Sequence, residues 1–140
     1  MKKTPLYLIL FLVGLFNGYI LFVLVGYIYA FDLTMDIIVS TVALLKEYDL
    51  SYMGWFILQV LSATVLIAVA TPIFILSGVV LISRFKLDPI LVGSMSSLGV
   101  IMILLYTAII YDATVIEILI DSGIIFGLNF FISYQTAKKV

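Results

Sequence analysis

Residues 6–31 carry no charged side chain, and that run alone dictates the solvent in which the chain folds. About 20 consecutive apolar residues are enough for a helix to cross the roughly 30 Å hydrocarbon layer of a bilayer. In lipid a spanning backbone must satisfy its own hydrogen bonds, and a helix does so within one segment. Three further apolar runs follow, at about 54–83, 89–111 and 114–136. The sequence therefore predicts an all-α integral membrane protein in which residues 1–140 form one transmembrane domain, an antiparallel bundle of four helices. Composition points the same way. The chain is 65% hydrophobic and 11% charged, whereas a soluble domain is about half apolar and about a quarter charged.

The opening Met1-Lys2-Lys3-Thr4-Pro5 looks at first like the charged start of a secretory leader. The apolar run behind it is much longer than the roughly 7–15 residues of a leader's apolar stretch. It is read as a retained first span.

Residues 32–50 differ from the rest. Asp32, Asp36, Lys46, Glu47 and Asp49 surround a short apolar stretch, 37–45, that cannot cross a membrane. Thr34 suits a helix N-cap and Asp36 the first turn. A short helix within 34–47, lying in the membrane interface, is expected. Tyr52 and Trp55 stand where the second span meets the headgroups, and Thr71-Pro72 within it predicts a kink. Asp88-Pro89 reads as a cap and first turn for the third span. The last two connections are very short, so consecutive helices are expected to be antiparallel neighbours.

Basic residues set the expected orientation. Lys2, Lys3, Arg84, Lys86, Lys138 and Lys139 fall on one side of a four-span chain, and Lys46 alone on the other. The positive-inside rule then places both termini in the cytoplasm, in a plasma membrane.

Composition also removes chemistry. The chain contains no cysteine and no histidine, so thiolate nucleophiles, histidine bases, histidine-ligated haem and the usual zinc sites are absent. No basic stretch could neutralise a run of phosphates, which excludes nucleic acid as a partner. No cofactor or metal is expected, and the chain reads as non-catalytic.

Helices in lipid associate through close packing and interhelical hydrogen bonds. Small and polar residues at helical spacing mark the contact faces. The first span offers Gly14-x-x-x-Gly18 with Asn17 within one turn. The second offers Gln59, Ser62, Ala63, Ala70 and Ser77, and the third Gly93, Ser97 and Thr107. The fourth offers Ser122, Asn129, Ser133 and Thr136 on one face, and Gly123-x-x-x-Gly127 elsewhere. Such stripes are how any multi-span bundle packs; read functionally, they would line a narrow polar path. Asn17 and Asn129 are costly in hydrocarbon unless hydrogen-bonded, and each is expected to find a partner, which can be the other.

Glu117 and Asp121 most resemble a site. They lie four apart, hence on one helix face, and an ionisable residue within a span suggests function by default. One reading is a proton or cation site. The bland reading is a wet helix N-terminus, favoured by the helix dipole. The expected function is an accessory or structural subunit of a larger membrane complex, meeting the lipid bilayer and other membrane subunits or its own copies. The alternative is a small homo-oligomeric ion channel or proton-coupled transporter using Asp121 and Glu117.

Overall fold

The computed structural model describes residues 3–139; Lys2, one of the residues that set the expected orientation, lies outside them. Five helices follow one another. Helix α1 is Lys3–Ala30, α2 is Asp32–Glu47, α3 is Gly54–Gly78, α4 is Pro89–Ile110 and α5 is Val115–Lys139. A 3-10 turn, Ser51–Met53, leads into α3, and a π-helical turn, Val79–Arg84, extends it. Among the described residues there is no strand. Four helices, α1, α3 with its flanking turns, α4 and α5, are long and apolar enough to cross a membrane. Their boundaries fall within a few residues of those predicted.

The helix ends follow from local chemistry. Asp88 caps α4 by accepting a hydrogen bond from Ile90 N–H at 3.0 Å, with Pro89 in the first turn. Proline there costs nothing, because that N–H has no helical partner anyway. Helix α2 starts earlier than expected: Phe31 occupies its N-cap position, and Thr34 N–H bonds the Phe31 carbonyl at 3.0 Å. Thr34 is thus inside the first turn and is not the cap. Helical structure runs through Pro72 to Gly78, and the wider winding appears at Val79–Arg84, not at Thr71-Pro72.

Three corners close on a left-handed residue that is not glycine: Asp49 (φ 57°), Lys86 (φ 52°) and Asp112 (φ 55°). Behind Asp49, Leu50 N–H reaches Leu45 O at 2.8 Å; behind Asp112, Ala113 N–H reaches Ala108 O at 3.0 Å. Both are Schellman closures, which satisfy carbonyls the helix end would leave open. Aspartate tolerates the left-handed region better than most side chains.

The neighbour relations depart from expectation. Around the bundle the order is α1, α4, α5, α3, with α1 and α3 meeting more sparsely than the other pairs. Gly14 faces Ser96 and Gly18 faces Val100 and Ile103, so α1 and α4 run parallel. Gln59 meets Glu117 and Gly78 faces Thr136, so α3 and α5 are parallel as well. Only α4–α5, with Gly93 against Phe130, is both consecutive in sequence and antiparallel in close contact. Helices α3 and α4 sit diagonally despite their short connection. The antiparallel-neighbour expectation holds for α4–α5 and is corrected for α3–α4. Small residues on α1 and α4 allow backbone contact, and that packing outweighs connection length in choosing partners.

Two clusters of buried side chains fill the interior. Leu10, Leu81, Ile82 and Val92 lie toward the chain termini. Leu21, Val69, Ala70, Phe74, Val100, Ile125 and Ile132 form the central one.

Candidate functional site

The half of the bundle nearer the termini is sealed by small residues. A Cβ added at Gly14 would overlap the Ser96 carbonyl, and one at Gly99 would overlap the Phe11 carbonyl and meet Leu15 N at 2.5 Å. A Cβ at Gly18 would lie 3.1 Å from the Val100 Cα. The α1 and α4 backbones therefore touch. Gly93 does the same for α4 and α5, with the Phe130 Cα 3.2 Å from its virtual Cβ.

Polar side chains lock the same half. Asn129, 2% exposed, donates from Nδ2 to Ser96 Oγ at 2.8 Å and to Ser97 Oγ at 2.9 Å, with the Gly93 carbonyl at 3.5 Å. The two serine hydroxyls donate in turn to the Val92 and Gly93 carbonyls. Ser133, 1% exposed, stands one turn beyond Asn129 with its hydroxyl unpartnered. Asn17 donates to Ser77 Oγ at 3.1 Å. The two asparagines therefore pair with serines on their neighbouring helices and not with each other. Satisfied in this way, they act as clamps, each removing the penalty of a bare amide in hydrocarbon.

The opposite half is open. A cavity of about 630 Å³ lies between α1, α3, α4 and α5. Its walls are mostly apolar, with Leu21, Val25, Leu66, Leu104 and Ile125 among them, and it rests on the central buried cluster. Phe22 of α1 and Tyr111, just past the end of α4, border it with ring centroids 6.3 Å apart. Glu117 and Asp121 both line it, and among the described residues no lysine or arginine does.

The two acids have different surroundings. Glu117 Oε2 accepts from Thr114 N–H at 2.9 Å, while Thr114 Oγ1 accepts from Glu117 N–H at 3.3 Å. This is a capping box, reciprocal satisfaction of two free donors at a helix start. Glu117 Oε1 also accepts from Gln59 Nε2 at 3.0 Å, tying α5 to α3. Thr114-x-x-Glu117 is a capping signature in the sequence, and it gives chemical content to the helix N-terminus that the acidic pair alone indicates. Asp121 sits one turn deeper, about 9 Å from the first residue of α5 along its axis. It is half-buried against the cavity.

Other predicted residues separate. Ser62 and Thr107 line the cavity, and Ala70 is buried in the core. Gly123 and Gly127 have nothing within 4 Å of a virtual Cβ, so that face of α5 points out of the bundle. Among the described residues no cluster of three or more acidic side chains could hold a metal. Gly99 is the packing residue that sequence reasoning missed. It falls outside the Gly93–Ser97–Thr107 face because α4 contacts two helices through two faces.

Fold and site together define a small multi-pass helical membrane protein. Compared with known protein families, curated proteins and solved structures, the chain matches none.

Proposed function

We propose that the chain is a non-catalytic accessory subunit of a larger membrane assembly. It would lie in the plasma membrane with both termini in the cytoplasm and α2 along the outer interface. The observation that carries this reading is the outward face of α5. The glycines of the other stripes, Gly14, Gly18 and Gly93, each meet a neighbouring helix, whereas Gly123 and Gly127 meet nothing. A surface that lets another helix approach closely has no packing use within this chain. Purification in mild detergent tests it: different chains should co-purify, and Gly127→Leu should reduce their recovery. Isolation of a stable homo-oligomer without partners would count against it.

The open cavity supports a second reading, a small channel or proton-coupled transporter working through Asp121 and Glu117. Two carboxylates stand on the wall of an apolar space that no basic side chain among the described residues lines. Flux across liposomes reconstituted with the wild-type chain, abolished by Asp121→Asn in a folded protein, would move this reading to first place.

A further inference from the structure

We propose that the outer-half cavity is a binding site for an amphipathic organic cation, with the apolar body seated between α1 and α4 and the cationic group against Asp121. The proposal takes its site from the second reading above and adds the ligand class; it makes no claim that the ligand crosses the membrane.

Size comes first. Small-molecule sites are mostly apolar clefts of about 300–1,000 Å³ with a few placed polar groups, and about 630 Å³ falls within that range. Charge comes second. Asp121 and Glu117 are the acids of the lining, and no basic side chain among the described residues shares it. Glu117 is already held through both oxygens by Thr114 and Gln59. Asp121 has Glu117 as its charged neighbour and no hydrogen-bond donor among the described residues. A carboxylate facing apolar walls gains most from a cation that can leave water readily. Aromatic rings add a third argument. Tyr29, Phe22 and Tyr111 line the same space, and ring faces attract ammonium-type cations once desolvated.

The same features exclude other occupants. A hard divalent ion needs about six to eight oxygen ligands, and two carboxylates on an apolar wall do not supply them. An anion would face like charge. A neutral lipid chain would fill the volume but leave Asp121 without a partner.

The test uses the full chain purified in mild detergent, with tetraphenylphosphonium as probe and tetraphenylborate as its counterpart of similar shape and opposite charge. Saturable binding of the phosphonium alone is expected. Asp121→Asn should weaken it about tenfold or more, equivalent to about 1.4 kcal/mol. Gly26→Leu should weaken it too, because Gly26 lines the cavity and has open space around it. Circular dichroism and gel filtration report folding; if Asp121→Asn does not fold, Gly26→Leu and the borate comparison decide the question. Equal binding of both ions, absence of saturable binding, or unchanged binding in folded variants overturns the proposal. Loss of a co-purifying chain in Asp121→Asn, with no phosphonium bound by the wild type, also overturns it and gives the carboxylate to a basic side chain of a partner. Asp121-dependent flux without phosphonium binding would leave the second reading standing and remove this one.

Discussion

The two halves of this bundle are built on different rules. Toward the termini, Gly14, Gly93 and Gly99 bring backbones into contact, and Asn17 and Asn129 clamp neighbouring helices through serine hydroxyls. Toward the other end the same helices part around a cavity of about 630 Å³ walled by large apolar side chains and two acids. Helix α1 belongs to both halves. Its Gly14 and Gly18 face α4, whereas its Gly26 faces open space. The contrast shows that small residues in a membrane helix do not by themselves mean contact: what lies opposite decides. It also suggests a division of labour, with one half fixing the fold and the other left free to bind.

Gly14→Ala should be the most damaging change. The new methyl would overlap the Ser96 carbonyl, a backbone atom that cannot swing aside. Separating α1 from α4 should cost about 3 kcal/mol, at the upper end of overpacking penalties. Reversible unfolding in mixed micelles measures it. A loss below about 1 kcal/mol would mean that the closed half is softer than its geometry indicates.

Asn129→Val should follow. It removes the donor that joins Ser96 and Ser97 and keeps much of the volume. Interhelical hydrogen bonds in membranes average about 0.6 and reach about 1.7 kcal/mol. Two bonds to two buried hydroxyls place this one near the top of that range. Asn17→Val, which loses a single bond to Ser77, should cost less in the same assay. Equal losses would break the distinction between the two clamps.

Thr114→Ala acts on the open half. It removes one arm of the capping box that starts α5 and should cost about 1 kcal/mol. Glu117 keeps its bond to Gln59, so α5 should stay docked on α3. Cysteine accessibility at position 125, buried in the cavity wall, before and after the change checks this. Increased labelling deep in α5 would show that the cap holds the cavity wall as well as the helix end.

Much of this is legible in the sequence. The four spans followed from apolar length, because lipid leaves a backbone so few alternatives. The existence of α2 followed from charges around a short apolar run, although its start moved from Thr34 to Asp32. Of the residues the sequence marks for packing, Gly14, Asn17, Gly18, Gly93, Ser97 and Asn129 are buried, whereas Gly123 and Gly127 are exposed with nothing near them. Two things were not legible. Neighbour order was not, since a short link between α3 and α4 says nothing about how strongly α1 attracts α4 through Gly14 and Gly99. The cavity was not either, since a void is a property of four helices at once and leaves no pattern on any one of them. Asp121 signalled the site, but the apolar space in front of it did not show.

Gly26→Ala should have the smallest effect, and it tests the comparison most directly because it repeats the Gly14 substitution in the same helix. In water, replacing an interior helical glycine with alanine gains about 1 kcal/mol from reduced backbone freedom. In a bilayer the separated helices keep their hydrogen bonds and remain helical, so most of that gain cancels between the two states. What remains is contact. A Cβ at Gly26 meets nothing within 4 Å, so it neither clashes nor packs. The expected change is within about 0.5 kcal/mol of zero, the usual scale for substitutions away from such features. Measured beside Gly14→Ala in the same micelles, it should leave unfolding nearly unchanged while its counterpart collapses it. A large loss at Gly26 would mean that the open half closes onto α1 in the membrane, and the open cavity would then have to be reinterpreted as one state of a moving bundle.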